Sequence, residues 1–186
     1  MEGKQSETAE KTKDLKSNAY DWIESLVTAI IACIIIFLFL FRVVNVQGSS
    51  MVPTLRESDK IVISRLAGNF RYGDIVVLTK TAFDDESIVK RVIATEGQTI
   101  DIDFDNGTVT VDGIVLDEPY IAEKTRKALD FKGPVTVPEG CVFCMGDNRN
   151  QSTDSRRNVI GMIDTRCILG RVVLRLWPFD KIGTVK

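Results

Sequence analysis

A run of twenty largely apolar residues near the amino terminus restricts the fold more than any other feature of this chain. Residues 22–41 read WIESLVTAIIACIIIFLFLF, and Glu24 is the one charged residue in the run. At about 1.5 Å per residue, a helix of this length spans roughly 30 Å, the thickness of a hydrocarbon core. Tyr20 and Trp22 stand at its start, where aromatic side chains are typical of the membrane interface. We therefore predict a transmembrane helix over residues 22–41.

The flanks of this run indicate an anchor that is not cleaved. A cleavable signal peptide has an apolar region of about 7–15 residues followed by small residues, whereas this run is longer and is followed by RVVNVQG. Residues 1–21 are polar and contain four lysines, which gives a slight positive-inside preference for a cytoplasmic amino terminus. We predict a single-pass protein of the cell membrane, in contact with the bilayer, with a cytoplasmic tail and an extracytoplasmic domain over residues 42–186.

From Val43 onward the helical pattern gives way to short strand-like runs. Strand-forming residues dominate these runs, which are KIVIS, DIVVLTK, SIVKRVIA, TIDID, TVTV, VTV, CVFCM and RVVLRLW. Asp112 and Gly113 lie between TVTV and IVL, and this pair is a strong signal for a two-residue hairpin. The pattern predicts one mostly β domain of short antiparallel strands behind one transmembrane helix.

The chain contains no histidine, and this absence excludes several kinds of active site. Histidine is the commonest general base and the commonest metal ligand. A Ser-His-Asp triad, a Cys-His pair and an HExxH zinc site are therefore excluded. A hydrolase of this sequence must use Lys, Asp, Glu or Tyr as its base. The net charge of −2 and the mixed composition argue against a nucleic-acid partner.

The cysteines of the domain are interpreted as ordinary buried residues. Cys141 and Cys144 have a CxxC spacing, but residues three apart on a strand point to opposite faces of the sheet. Cys167 stands alone, so neither a second cysteine pair nor a histidine completes a metal site. We expect no cofactor and no metal.

Ser50 and Lys90 are the candidates for nucleophilic chemistry. Ser50 lies in GSSMVPTL, residues 48–55, which is also typical of a plain turn at the end of a strand. The seven residues that follow Phe41 limit its distance from the bilayer to about 25 Å. Lys90 and Arg91 are adjacent in SIVKRVIA, so one of them faces inward unless the strand is an exposed edge. Burial lowers the pKa of a lysine toward the range of a general base, whereas an edge lysine discourages aggregation.

A dense polar segment, MGDNRNQSTDSR, covers residues 145–156. It does not match the EF-hand pattern, because Arg149 occupies the third position counted from Asp147. A plain polar loop remains an alternative. So many hydrogen-bonding groups in one segment favour a network that fixes a nearby site, with a hydroxyl holding a lysine in place.

Taken together, these segments resemble the bacterial type I signal peptidases along nearly the whole chain. Four blocks occur in the family's order, and they are GSSMVPTL, YGDIVVL, KRVIATEGQ and GDNRNQSTDSR. DEPY, VPEG and the ending RLWPFDKIG are also similar to the family. Relatives in the endoplasmic reticulum carry His where this chain has Lys90, so the resemblance indicates the bacterial Ser-Lys type. It also implies the compact form with a single anchor and an antiparallel β catalytic domain.

The resemblance implies a role for each matching residue. Ser50 is expected to be the nucleophile, Lys90 the general base, and Ser152 the serine that orients the lysine. Asp154 and Arg156 match a supporting ion pair. Asp147 and Arg91, which stand inside the matching blocks, are expected to belong to the same support.

Three departures from the family pattern concern the surroundings of these residues. Gly48 stands where some members have a serine that helps to stabilise the oxyanion. The backbone amide of Ser50 is then the identifiable donor, and the second donor in the Gly48 region is unassigned. Asn150 and Gln151 replace the more usual Asp-Asn, and Gln98 replaces an acidic residue.

The function implied by the resemblance is removal of signal peptides from exported preproteins by acyl transfer. The expected substrates have small residues, typically Ala, one and three positions before the cut. Two other interpretations remain open on the residues alone. One is a self-cleaving Ser-Lys regulator, although residues 1–42 contain no DNA-binding domain. The other is a membrane-tethered β module that binds a partner without catalysis.

Overall fold

The computed structural model describes residues 2–66, 68–79 and 87–185, with the backbone alone for residues 2–19. The chain divides after Leu40 into a helical unit and a β unit. The helical unit is a single helix, α1, over Glu2–Leu40. Its stretch Tyr20–Leu40 is apolar and long enough to cross a membrane, and none of it is buried inside the protein. The helix continues through residue 21, where we expected the tail to end, and Phe41 begins the first strand instead of ending the span.

The β unit contains eleven strands among the described residues, and most of them are short, as the turn signals in the sequence predict. They are β1 Phe41–Asn45, β2 Lys60–Ser64, β3 Ile75–Thr79, β4 Ser87–Thr95, β5 Thr99–Asp103, β6 Thr108–Val111, β7 Ile114–Val115, β8 Val135–Thr136, β9 Cys141–Met145, β10 Ile163–Asp164 and β11 Ile168–Trp177. Short 3-10 turns cover Thr165–Cys167 and Phe179–Lys181.

These strands form two sheets in which every pairing is antiparallel. The larger sheet has seven strands in the order β1-β2-β11-β3-β4-β9-β10, and the smaller has four in the order β7-β6-β5-β8. Asp112 and Gly113 join β6 to β7 with φ angles of 52° and 78°, which is the backbone that a type I′ hairpin requires. The predicted mostly β domain and this hairpin are therefore confirmed.

Strand β4 lies in the interior of the larger sheet and is buried on both faces. Residues 89–94 are all buried, because alternate side chains enter different apolar clusters. Val92 packs with Val76 and Cys144 in one cluster, whereas Ile93 packs with Phe143 in another. A strand covered on both faces by apolar side chains is the place where an inserted lysine loses most of its water.

Candidate active site

Lys90 lies in the middle of β4 and its side chain is 3% exposed. Its backbone is paired with Val76 of β3. The Lys90 Nζ donates one hydrogen bond to Ser50 Oγ at 2.7 Å and another to the carbonyl of Val89 at 3.0 Å. The two candidates chosen from the sequence, 40 residues apart, are therefore in direct contact.

The turn that carries Ser50 is fixed by its own backbone hydrogen bonds and by two side chains buried in the core. Val52 N donates to Ser49 O at 3.1 Å, and Leu55 N donates to Met51 O at 2.9 Å. The side chains of Met51 and Leu55 are buried in the apolar cluster of the larger sheet. These contacts leave Ser50 half-buried at the edge of the core, where its hydroxyl is in contact with Lys90.

Burial determines the acid–base state of Lys90. It lowers the pKa of the ammonium group from 10.5 to about 8, and the nearby Asp154, Cys144 and Asp147 oppose that fall. At pH 7 roughly one lysine in ten is therefore neutral before a ligand binds. Arg91 is equally buried, at 1% exposure. Alternation along a strand predicts that one of the two side chains points inward, but both are buried because both faces of β4 are covered.

The segment after β9 encloses the Ser50–Lys90 contact from a second side. Gly146 follows β9 directly, and a Cβ added there would overlap Ser152 Oγ and Ser50 O. Asp147 accepts two hydrogen bonds from Arg91, Nε to Oδ1 at 2.8 Å and Nη2 to Oδ2 at 2.7 Å. This ion pair joins β4 to the segment, and its two side chains are at most 2% exposed.

Asp154 and Arg156 form a second buried ion pair, at 2.9 Å, with both side chains fully buried. Asp154 Oδ2 also accepts a hydrogen bond from the amide of Gly146 at 3.1 Å. Arg156 donates in addition to the carbonyls of Lys127 and Arg149. The Asp154–Arg156 pair thus links the later part of the segment after β9 to its first residue, Gly146.

Ser152 is placed differently from the expectation. Ser152 is 8% exposed as a whole, and its hydroxyl is buried without a hydrogen-bond partner among the described residues. Its hydroxyl lies beside Gly146, but the second acceptor of Lys90 is the Val89 carbonyl. The structure therefore does not contain the Ser152–Lys90 hydrogen bond that the resemblance implies.

Gly48 has a φ angle of 75° and is exposed, with no heavy atom within 4 Å of an added Cβ. Its left-handed backbone suits glycine. No side chain of this residue can stabilise an oxyanion, so the second donor stays unassigned.

The sequence reasoning missed a third buried ion pair. Arg149 donates to Glu118 from Nη1 at 2.8 Å and from Nη2 at 2.6 Å, with side chains 0% and 6% exposed. In the sequence, Arg149 indicates only that the segment is not an EF-hand. Tyr120, two residues after Glu118, places its ring 3.9 Å from the Arg91 guanidinium. The DEPY segment, residues 117–120, was the available signal, but its partners are not readable from the sequence.

The cysteines have separate surroundings. Cys144 is fully buried, and burial raises the pKa of its thiol, whereas Cys141 and Cys167 are partly buried. All three are free. Among the described residues no group of His, Cys, Asp and Glu is arranged to hold a metal ion.

Comparison with known proteins identifies the family of this chain. Residues 19–177 match the family model described as signal peptidase, peptidase S26. A signal peptidase I of Bacillus licheniformis is 35% identical over 94% of this chain and 97% of its own length. A signal peptidase I P of Bacillus subtilis subsp. natto is 37% identical over 95% of this chain and 99% of its own length.

Among solved structures, a signal peptidase I from Enterococcus faecalis has a TM-score of 0.47 at 27% sequence identity. It covers 56% of this chain, and the match covers 97% of that chain. The family model and the Bacillus relatives each extend over most of this sequence. The chain therefore belongs to the bacterial type I signal peptidases of peptidase family S26, which are serine peptidases.

Proposed function

We propose that this signal peptidase cuts exported preproteins beside the membrane, with Ser50 as the nucleophile and Lys90 as the general base. The observation that carries the proposal is the 2.7 Å hydrogen bond from the Lys90 Nζ to Ser50 Oγ. Together with a pKa of about 8 for Lys90, it gives a serine hydroxyl a buried amine that is partly neutral at the pH of catalysis.

The proposed reaction has two balanced steps. Neutral Lys90 takes the proton of Ser50 as its oxygen attacks the scissile carbonyl, and the resulting ammonium gives that proton to the departing amine. An ester then joins Ser50 to the signal peptide. Lys90 next removes a proton from a water molecule, whose oxygen attacks the ester carbonyl. The bond to Ser50 Oγ then breaks, Ser50 takes the proton back from the Lys90 ammonium, and the signal peptide leaves with a free carboxyl group. The Ser50 amide is the proposed donor to the oxyanion in both steps.

Ser152, Asp154, Arg156, Asp147 and Arg91 are proposed to support this pair. The two buried ion pairs hold the segment after β9 against β4 and against itself. The Ser152 hydroxyl is buried beside Gly146 without a hydrogen-bond partner among the described residues. We propose that it accepts a hydrogen bond from Lys90 when the Lys90 ammonium no longer donates to Ser50.

The preference for small residues is proposed to follow from two strand edges. Strand β1 is the first strand of its sheet and pairs with β2 alone, and β9 pairs with β4 only from Arg91 onward. A cavity of about 330 Å³ lies between β1 and Ser87, the first residue of β4. An extended peptide added there sends its alternate side chains, one and three positions before the cut, to one face.

Two of the residues that line this cavity, Val44 and Leu169, pack against the buried apolar cluster that contains Met51 and Val89. We propose that the subsites on this side are shallow because that cluster fills the space behind them.

We propose that the apolar stretch Tyr20–Leu40 anchors the enzyme as a single span, with the amino terminus in the cytoplasm and the β unit outside. The stretch has the length and composition that this requires, and protease accessibility of the β unit in intact cells measures the orientation.

The test uses the full chain in detergent and a fluorogenic peptide with Ala one and three positions before the cut. Ser50→Ala and Lys90→Ala are each expected to abolish cleavage and to retain the far-UV circular dichroism of the parent. Lys132→Ala is the matched control, because Lys132 is exposed in a loop. An acylating inhibitor should label Ser50 alone. Substantial cleavage by purified Ser50→Ala or Lys90→Ala would refute the assignment.

A further inference from the structure

The turn that carries Ser50, residues 49–55, is called the nucleophile turn here. The segment after β9 contacts it at several points, among them a hydrogen bond from Thr54 Oγ1 to Asp147 Oδ2, but Asn148 alone among the described residues of that segment bonds to the backbone carbonyls beside the nucleophile. Its backbone amide donates to the carbonyl of Ser50 at 3.0 Å. Its side-chain Nδ2 donates to the carbonyl of Ser49 at 3.1 Å. Asn148 thus bonds to two consecutive carbonyls of a turn that lies 99 positions earlier in the sequence, counted to Ser49.

The side-chain bond acts on the peptide group that matters for catalysis. The Ser49 carbonyl and the Ser50 N–H belong to the same peptide unit, which is planar and, in its trans form, directs the two groups to opposite sides. A donor that fixes the direction of the Ser49 carbonyl therefore fixes the direction of the Ser50 N–H. No described residue accepts a hydrogen bond from that N–H, so the carbonyl side of the peptide unit determines where the amide points.

Asn148 is itself held rigidly. The residue before it, Asp147, is paired with Arg91, and the residue after it, Arg149, is paired with Glu118. Both ion pairs are buried, with side chains at most 6% exposed. A side chain between two such anchors loses little further freedom when it holds the turn, which is what a preorganised site requires.

We infer that Asn148 is a positioning residue, whose side-chain amide aims the Ser50 N–H at the oxyanion that forms on the scissile carbonyl. The inference rests on the proposed function, because it takes Ser50 as the nucleophile. Gly48 offers no hydroxyl, so the direction of this one backbone donor carries more of the stabilisation. Val52 N also donates to the Ser49 carbonyl, so removal of the asparagine loosens the peptide unit without freeing it.

Asn148→Ala in the full-length enzyme is expected to lower kcat about tenfold with little change in KM, as the loss of one orienting hydrogen bond implies. The inhibition constant of a peptide aldehyde, which forms a tetrahedral adduct with Ser50, should rise by the same factor. Affinity for the uncut substrate peptide, measured in a Ser50→Ala background with and without Asn148→Ala, should not change. The pH midpoint of activity should also stay in place.

Two further variants sharpen the test. Asn150→Ala is the matched control, because the Asn150 side chain bonds to the loop around Arg126 and Glu123 instead of the nucleophile turn. It should change none of the five quantities, which are kcat, KM, the inhibition constant of the aldehyde, the affinity for uncut peptide and the pH midpoint. Asn148→Asp keeps the shape of the side chain but cannot donate, so its loss of kcat should equal or exceed that of Asn148→Ala.

Several results would overturn the inference. One is full activity in both Asn148 variants, and another is a loss no larger than that of Asn150→Ala. Weaker binding of the uncut peptide by the same factor as the aldehyde would show a role in the ground state, and a shifted pH midpoint would show action through Lys90. These results differ from failure of the proposed function, which would be substantial cleavage by the Ser50→Ala or the Lys90→Ala variant with Asn148 intact.

Discussion

Replacing Lys90 with methionine should make this enzyme more stable at neutral pH while removing its activity. The fall in the pKa of Lys90 from 10.5 to about 8 measures the cost of keeping its ammonium buried. At about 1.4 kcal/mol per pH unit, that cost is about 3 kcal/mol when the lysine is protonated. Methionine fills a similar volume without charge, but it leaves Ser50 Oγ and the Val89 carbonyl without the donor they have now. Each lost bond costs about 1 kcal/mol, so the two together cost about 2 kcal/mol and the net gain at pH 7 is about 1 kcal/mol.

The sign of the effect depends on pH. Below about pH 8 the lysine is protonated in both the folded and the unfolded chain, so the parent bears the whole penalty. Between pH 8 and 10.5 the unfolded chain binds more protons than the folded one, and the parent gains stability as the pH rises. The advantage of Lys90→Met should therefore shrink over this window and be absent or reversed above it.

Guanidinium unfolding of the full chain in detergent measures this difference. Trp177 lies in β11 and reports on the β unit, and a Trp22→Phe background removes the tryptophan at the apolar helix. Lys132→Met, at an exposed loop position, serves as the control and should show no such dependence on pH. A stability difference between Lys90→Met and the parent that stays constant from pH 7 to 10.5 would refute the idea of a buried, readily deprotonated lysine.

Three further predictions concern the same site. First, kcat/KM should rise through a midpoint near pH 8, where burial sets the pKa of Lys90, and a flat profile from pH 6 to 10 would contradict a lysine base. Second, Glu118→Gln or Arg149→Met alone should cost about 3 kcal/mol of unfolding free energy, because each leaves a buried charge without its partner. The double variant should recover part of that loss, and strict additivity would contradict the coupling. Third, Gly146→Ala should lower kcat/KM at least a hundredfold, since its Cβ overlaps the nucleophile turn; near-normal rates would show that the turn yields freely.

The parts of the fold that local patterns encode could be predicted from the sequence. A twenty-residue apolar run predicts a helix, because in lipid a helix satisfies the backbone hydrogen bonds within the segment itself. Asp112-Gly113 has one favoured backbone, the tight hairpin that joins β6 to β7. Alternation along β4 correctly required an inward lysine or arginine. It did not show that both faces of the strand are covered, because that depends on the loops and strands packed against the sheet.

The contact between Ser50 and Lys90 could not be derived from periodicity. It depends on the register of β3 with β4 and on the path of the turn after β1, which are tertiary properties. Resemblance to a family supplied the pair, because the family's motifs identify both residues without reference to the register. The Ser152–Lys90 hydrogen bond that the resemblance implies is absent from this structure. The resemblance gave no role to Glu118, whose partner lies 31 residues away.

The charged side chains buried around Lys90 follow one pattern of pairing. Three arginines are buried near the site, and each is paired with one carboxylate, in the pairs Arg91–Asp147, Arg149–Glu118 and Arg156–Asp154. Each pair joins backbone segments through directional hydrogen bonds, which apolar contacts do not provide. Each pair also adds no net charge. An unpaired carboxylate would stabilise the ammonium and keep the base protonated, whereas an unpaired arginine would be costly to bury. Pairing thus lets the site be rigid without cancelling the desolvation that lowers the pKa of Lys90. Among the described residues, Lys90 remains the one buried cation of the site without a carboxylate in direct contact.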